Sequence, residues 1–199
     1  MDRLIYTSMS GAKYLLERQA TLANNLANAS TTGFRADTVG LRAVPTVSPQ
    51  SGTRVFTVET TTGADFSQGP LSATGRNLDV AVQGEGWLAV QASDGTEAYT
   101  RNGAMQVGSD GVLQLANGLQ VVGTGGPITI PADVQSILVA ADADASVKVV
   151  DGTLEGSNVN VVEAMVGMIA ASRQFELQMK MLSTAEQNEQ KSSSVISGS

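Results

Sequence analysis

Two long segments, one at each end of the chain, repeat apolar side chains with the spacing of a heptad. The first runs from Ile5 to Ala29, and the second from Val161 to about Glu189. A period of 3.5 residues is typical of helices that pack lengthwise on other helices. A helix of this kind would leave an apolar stripe in water if it stayed alone. The pattern therefore predicts that the two helices pair with each other or with copies of themselves.

The predicted seams are defined by the residues that recur in steps of four and three. In the first helix they are Ile5, Ala12, Gln19 and Leu26 at one position and Ser8, Leu15, Leu22 and Ala29 at the other. In the second helix they are Val161, Met165, Met168, Ser172, Phe175, Met179 and Leu182. Asn160, three residues before Glu163, predicts an N-cap for the second helix. An amphipathic helix that packs only within its own domain is the alternative that this pattern leaves open.

A cluster of asparagines marks the end of the first helix. Asn24, Asn25 and Asn28 lie within five residues of each other, although Asn is a poor helix former. Gly33 then provides a stop signal, because glycine readily adopts the left-handed conformation after a helix. Side-chain amides in this position suit lateral hydrogen bonds between packed helices. A polar, frayed helix terminus is the other interpretation.

Between the helices the chain is rich in β-branched residues and in glycine turns. Alternation predicts strands at 54–60, 78–82, 87–91, 97–100, 112–115, 119–122, 128–130, 136–139 and 147–150. Asp94-Gly95 predicts a hairpin turn of type I′, and Asn117-Gly118 predicts a second hairpin. Short strands joined by tight turns indicate an antiparallel β domain. The predicted fold class is α+β, with terminal helices that form a coiled-coil-like axial domain around an intervening antiparallel β domain.

The chemistry of the side chains excludes most catalytic functions. The chain has no Cys and no His, so it lacks thiol nucleophiles, the commonest general base and the commonest zinc ligand. Carboxylates such as Asp65 and Glu85 show no spacing that indicates a catalytic pair. Residues 45–150 carry ten acidic and four basic side chains, which argues against nucleic acid. We predict no enzyme activity, no metal, no cofactor and no small-molecule substrate.

Two motifs resemble those of a known family. The stretch from Ala23 to Phe34, ANNLANASTTGF, is similar to the N-terminal signature of the rod and hook proteins of the bacterial flagellum. The stretch from Leu154 to Met165, LEGSNVNVVEAM, resembles the start of their C-terminal helix. Within the family, the segments 74–82, 84–87 and 173–180 are most similar to the proximal rod branch. The distal rod and hook branches are the nearest alternatives.

The resemblance implies a structural subunit whose terminal helices, 1–34 and 157–199, build the inner tube of a helical assembly that transmits torque. Residues 35–60 would form an extended linker or strand, and residues 61–156 a β-rich outer domain. The family normally has a further β section where this chain has only a short join, so the outer domain is predicted to be shortened near 142–152. The partners implied are copies of the chain, the distal rod protein and the flagellar export apparatus. The implied location is the basal-body rod that crosses the periplasm, reached by type III export without a cleavable signal.

Assembly residues follow from the seams and the two motifs together. They are Ile5, Leu15, Leu22, Asn24, Asn25, Leu26, Asn28, Thr32, Gly33, Phe34, Asn158, Val161, Met165, Met168, Phe175, Met179 and Leu182. Two other classes of function remain as alternatives. One is an oligomeric module whose β domain binds glycan, and the other, with little support in the sequence, is a carboxylate enzyme.

Overall fold

The computed structural model describes residues 2–45, 55–92, 94–123, 125–131 and 148–197. Helix α1 spans Asp2–Ala27 and helix α2 spans Val161–Ser197. The strands described between them are β1 Asp37–Pro45, β2 Val55–Ala64, β3 Leu71–Ala73, β4 Val80–Gln83, β5 Leu88–Gln91, β6 Glu97–Thr100, β7 Met105–Val107, β8 Leu113–Leu115, β9 Gln120–Gly123, β10 Gly126–Pro127, β11 Lys148–Asp151 and β12 Thr153–Glu155. All of their pairings are antiparallel. The predicted α+β class, with two terminal helices and antiparallel sheet between them, is confirmed.

The chain divides into two compact units. The helical unit comprises Met1–Ala27, Asp37–Asp65 and Asn160–Ser199, and the β unit comprises Asn28–Ala36 and Phe66–Val159. These divisions differ from the predicted domain boundaries at 34, 60 and 157. The first strands, β1 and β2, group with the helices, whereas the end of the N-terminal motif groups with the β unit. The assignment of inner and outer layers stays a prediction.

Within the helical unit, α1 and α2 pack against each other in antiparallel directions. Gly11 of α1 faces Gln178 late in α2, whereas Leu22 faces Gly167 early in α2. A Cβ atom at residue 167 would lie 3.2 Å from Cδ1 of Leu22, closer than nearly all such contacts. Glycine at this position therefore lets the two helices approach closely. Among the described residues, neither helix has a stretch apolar and uncharged enough to cross a membrane.

The buried side of α1 agrees with its predicted seam, whereas that of α2 is shifted. In α1, Ser8, Ala12 and Leu15 are buried. Among the side chains of α2 that the structure describes, the buried ones are Ala164 and Ala171, each one position before a predicted seam residue. The helix thus turns its small side chains inward, which close packing requires, and larger apolar ones remain at the surface. Met168, Phe175 and Leu182, which occupy the same position in successive heptads of the predicted seam, are half-buried.

Strands β1 and β2 form a two-stranded ribbon that belongs to the helical unit. Their register runs from Asp37 opposite Ala64 to Pro45 opposite Val55, with an irregularity between Thr38 and Gly40. The side chain of Asn25 fixes the start of this ribbon to α1. Its Nδ2 donates to the carbonyl of Asp37 and its Oδ1 accepts from the amide of Asp37, both at 2.8 Å. Asn25 is itself buried, so these two bonds are shielded from water.

The β unit is built around a six-stranded sheet in which β6, β5, β9, β8 and β7 follow one another and β10 pairs with β9. Two further pairs, β4 with β11 and β3 with β12, join residues 71–83 to residues 148–155. The core consists of Val80, Val90, Met105, Leu113, Leu115 and Val121. Burial of these side chains supplies the main driving force for folding of the unit.

The hairpin turns are real, but the type of the one at Asp94-Gly95 differs from the prediction. At Gly95 and at Gly118 the glycine amide donates to the carbonyl of the residue three positions earlier. The amide of that earlier residue donates in turn to the carbonyl of the residue that follows the glycine. This is a type I turn followed by a left-handed glycine, a three-residue loop, and the turn at Gly111 repeats it. In each turn the side-chain Oδ1 of the Asp or Asn before the glycine accepts a hydrogen bond from the backbone amide two residues further on. This bond favours the three-residue loop over the type I′ turn. At the first turn, the hydroxyl and the amide of Thr96 lower the pKa of Asp94.

Some strand predictions were wrong in their bounds or existence. Residues 128–130 contribute only an isolated bridge at Thr129, although the amides of Ile128 and Ile130 still bond to neighbouring carbonyls. Strands β3 and β7 were not among the predicted strands; β3 pairs with the distant strand β12, whereas β7 pairs with β8, the next strand along the chain. Helix α2 continues to Ser197, beyond the predicted end near residue 189. The predicted strand 136–139 lies outside the described residues.

Replacing Asn160 with Ala should weaken the start of α2. The Oδ1 of Asn160 accepts from the amides of Val162 and Glu163, at 3.1 and 3.2 Å, which confirms the predicted N-cap. We expect a loss of about 1 kcal/mol in the free energy of unfolding, read from the hydrogen exchange of these two amides. Gln187→Ala, at an exposed position of α2, is the control and should cost less than about 0.5 kcal/mol. Equal effects would show that the cap contributes nothing.

Replacing Asn25 with Leu should release β1 from α1. Both hydrogen bonds to Asp37 would be lost, at about 1 kcal/mol each, so the amide of Asp37 should exchange at least tenfold faster. The amides of the β unit should keep their protection, because the change lies in the other unit. Ala20→Leu, at an exposed position of the same helix, is the matched control. Unchanged exchange at Asp37 would contradict the role given to Asn25.

Candidate functional site: the signature cluster and the helix faces

A buried group of three charged side chains lies within the β unit. We call Arg35, Arg101 and Glu155 the signature cluster. Glu155 is fully buried, and Arg35 and Arg101 are only 8% and 4% exposed. The Oε1 atom of Glu155 lies 2.7 Å from Nη2 of Arg35, and its Oε2 lies 3.1 Å from Nη1 of Arg101. Two guanidinium groups therefore share one carboxylate away from water.

Backbone groups add to the coordination of these charges, although the buried Nε atoms of Arg35 and Arg101 have no hydrogen-bond partner among the described residues. The amide of Gly69 donates to Oε1 of Glu155 at 2.9 Å. Arg35 donates to the carbonyl of Ser67, and Arg101 donates to the carbonyls of Val82 and Gly84. Buried charge is tolerated only when it is paired and hydrogen-bonded. Removal of one partner from such a pair costs about 3–5 kcal/mol, because the other charge remains buried and uncompensated.

Two aromatic rings lie at the edge of the cluster. Cζ of Arg101 is 5.2 Å from the ring centre of Trp87, a cation–π arrangement. The ring of Phe66 meets that of Trp87 edge to face, with centres 5.9 Å apart. Trp87 thus covers the guanidinium group on one side while remaining partly exposed.

The end of the N-terminal motif is held next to the cluster by its glycine. Gly33 has a φ of 70°, and its amide donates to the carbonyl of Glu155 at 2.8 Å. A Cβ atom here would lie 2.4 Å from the carbonyl carbon of Arg101, a distance that no side chain tolerates. Glycine is therefore required at this position twice over, by its backbone conformation and by the space around it.

The C-terminal motif bonds directly to the N-terminal one through Asn158. The amide of Asn158 donates to the carbonyl of Phe34 at 3.3 Å, and its Oδ1 accepts from the amide of Ala36 at 2.7 Å. Its Nδ2 also donates to the carbonyl of Ser67 at 3.0 Å. The two motifs, which are more than a hundred residues apart in sequence, thus form one hydrogen-bonded structure within the β unit.

The remaining predicted residues are distributed over both units. Asn24 is exposed, whereas the buried Asn25 uses its amide within the helical unit. The Oδ1 of Asn28 accepts from the hydroxyl of Thr31, and Thr32 is half-buried. Leu15 is buried, and Leu22, Leu26, Met168, Phe175 and Leu182 are half-buried. Val161, Met165 and Met179 are exposed, and the side chain of Ile5 lies outside the described residues. Their role in assembly stays a prediction.

Sequence reasoning missed the three members of the signature cluster. Arg35 and Glu155 each lie within or directly beside a motif, but an isolated charged residue is most often at the surface. Arg101 carries no local signal, since it simply follows a strand. The pairing of these charges depends on which distant segments meet, so the sequence offers no spacing that would have identified it.

Three parts of the chain match known protein families. Residues 5–35 match a family described as flagella basal body rod protein. Residues 81–147 match the flagellar hook protein FlgE/F/G D1 domain, and residues 150–195 match the flagellar basal body rod FlgEFG protein C-terminal family. Each description names the flagellar rod or hook.

Relatives extend over the whole chain. It is 40% identical to the flagellar basal-body rod protein FlgF of Salmonella typhimurium, with 99% of both chains covered. It is 38% identical to the FlgF protein of Escherichia coli strain K12, again with 99% of both covered. Identity to the flagellar basal-body rod protein FlgG of Bacillus subtilis is 30%, over 81% of this chain and 67% of that relative.

The alignment also shows a difference in length. The alignment with the Salmonella relative covers 251 positions, whereas this chain has 199 residues. At least 52 positions (251 − 199) therefore have no counterpart in this chain. The location of this shortening near 142–152 stays a prediction. Because two rod proteins are 40% and 38% identical to this chain over 99% of its length, the chain belongs to the family of flagellar basal-body rod proteins.

Proposed function

We propose that this chain is a structural subunit of the flagellar basal-body rod, of the proximal type, which polymerises through its terminal helices and transmits torque. The relatives that match along the full chain are named as rod proteins, which supports the proposal. The observation that carries it is an apolar stripe on the exposed side of α2. We call this the α2 stripe; its members are Val162, Met165, Val166 and Ile169.

The geometry of the α2 stripe suits a further helix. Its residues follow the spacing i, i+3, i+4 and i+7, so they lie along one side of the helix. Val162, Val166 and Ile169 are 70%, 61% and 56% exposed. At 100° per residue, the stripe points away from Ala164 and Ala171, which are buried. One side of α2 is therefore used within the helical unit, and the opposite side offers apolar surface to another subunit.

Such a surface favours an open polymer. Neighbouring subunits that contact each other through different surfaces form rings or, when the rotation does not close, helical filaments. The predicted seam residues Val161, Met165 and Met179 are exposed, which supports coiled-coil-like packing between subunits. The helices would then form the inner tube of the rod, and the β unit an outer layer that is smaller than in relatives with the additional positions.

The partners and location follow from the same family. We infer that the chain assembles with copies of itself and with the distal rod protein, within the basal body. Delivery by the flagellar export apparatus completes the proposal. It assigns no catalytic residue, in keeping with relatives that are named as rod proteins.

A distal rod subunit is the second candidate. The similarity to the FlgG protein of Bacillus subtilis supports it, since 81% of this chain is covered there. Identity is lower than with the FlgF relatives, at 30% against 40% and 38%, and the covered part of the relative is smaller. The proximal assignment is therefore the better supported one. The two differ in which rod segment would be missing when the chain is deleted.

Making the α2 stripe polar should prevent assembly without unfolding the chain. We expect the double change Val166→Asn and Ile169→Asn to reduce rod formation at least tenfold, counted in basal bodies by electron microscopy, and to abolish motility. The free energy of unfolding should fall by less than about 1 kcal/mol, because neither side chain is buried in the subunit.

The matched control is Gln174→Asn, an exposed position of α2 that lies off the stripe. It should leave rods and swimming unchanged. Normal rods in the double variant would contradict assembly through this surface. A variant that is unfolded by circular dichroism would call for the milder pair of Ser substitutions at the same two positions, to which the same criterion applies.

A further inference from the structure

The chain passes between its two units four times. These passages follow Ala27, Ala36, Asp65 and Val159. In the β unit, three segments adjoin them, namely 28–36, the start of 66–159 and its end. Any force that reaches the β unit along the chain must enter through these three segments.

The signature cluster joins all three segments to one another. Arg35 belongs to the first and Gly69 to the second, and both bond to Glu155 of the third. Asn158 adds a second set of bonds, since it contacts Ala36 in the first segment and Ser67 in the second. Arg101 then connects Glu155 to the carbonyls at the end of β4 and just after it.

The strand pairing shows why this location is mechanically weak without the cluster. Leu71, the first residue of β3, pairs with Glu155, the last residue of β12. The chain enters β3 and leaves β12 at the same end of this antiparallel pair. A force that pulls apart the segment before β3 and the segment after β12 would therefore separate the strands one residue pair at a time, beginning at Leu71 and Glu155. The cluster lies at that end, together with the bond from the amide of Gly156 to the carbonyl of Pro70 at 2.8 Å.

We propose that the signature cluster is a mechanical clamp. It holds the three segments together where tension would begin to unzip β3 from β12, so that load is shared among them. The inference rests on the proposed function, because a subunit of a rod that transmits torque is one whose chain bears load. Charged groups suit this role: a buried ion pair that opens leaves both charges uncompensated, so the first step of opening is the costly one.

The chain contains a built-in reporter of the clamp. Trp87 is its only tryptophan, and its ring covers the guanidinium group of Arg101. A change in tryptophan emission therefore reports on the integrity of the cluster. The chain also has no cysteine, so two introduced cysteines would be unique points of attachment.

The test is force spectroscopy on the full chain, with handles at Asp65→Cys and Glu163→Cys, two exposed positions that flank the β unit in sequence. With Glu155→Gln, the rate of opening at a fixed force should rise on the order of a hundredfold, as expected when one charge of a buried network is removed. Asp151→Asn changes an exposed carboxylate on the neighbouring strand β11 and is the control, with a change within about twofold. Equal rates in the parent and Glu155→Gln proteins would overturn the proposal.

A second variant covers the case in which Glu155→Gln does not fold. Replacing Arg35, Arg101 and Glu155 together with Met removes every charge while filling the same space, a change that buried ion networks often tolerate. This variant should match the parent protein in denaturant unfolding yet open at least tenfold faster under force. Unchanged opening would show that packing, and not the charged clamp, bears the load.

The outcome is separable from that of the proposed function. The pulling experiment uses the single chain, so it does not depend on rod assembly. If Glu155→Gln opens no faster than the parent under force, while the stripe variant fails to build rods, the clamp alone is rejected. A clamp that behaves as expected, in a chain whose stripe variant still builds rods, would reject assembly through α2 and leave the clamp standing.

Discussion

The carboxylate of Glu155 is completely removed from water, and the β unit depends on how this charge is compensated. A buried carboxylate needs opposite charge and hydrogen-bond donors within a few ångströms. Arg35 and Arg101 provide the charge, and the amide of Gly69 adds a neutral donor. These residues come from three distant parts of the chain, so all three must meet before the charge can be buried.

Gly33 and Asn158 of the two motifs, and Gly69 between the motifs in sequence, can be understood from this requirement. Gly33 is needed where the first motif passes against Arg101, since any Cβ atom would overlap its backbone. Gly69 is needed for the same reason, because a Cβ atom would lie 2.2 Å from the carbonyl oxygen of Gly156. Asn158 then closes the arrangement by bonding to both neighbouring segments. The motifs are thus parts of one folded structure as well as markers of a family.

The helical unit solves a different problem, that of sorting apolar side chains by size. Close approach of α1 and α2 places Gly167 against Leu22, and the small side chain of Ala171 is also buried. The larger side chains of α2, for example Val166 and Ile169, remain on the opposite side. Helix α2 has apolar residues on both sides, and only one of these sides is buried within the subunit. This surplus is the physical link between the fold of the subunit and the polymer that we propose.

The sequence by itself determined the two terminal helices, the antiparallel β region, the N-cap at Asn160 and the positions of the glycine turns. These features depend on side-chain periodicity and turn chemistry, which act over a few residues. Only the tertiary structure decided that α2 buries Ala164 and Ala171 instead of Met165 and Ser172, and that Asn25 bonds within its own unit. It also decided that Arg35, Arg101 and Glu155 form one buried cluster. Such choices depend on contacts between residues far apart in the chain, whose separation no local pattern encodes.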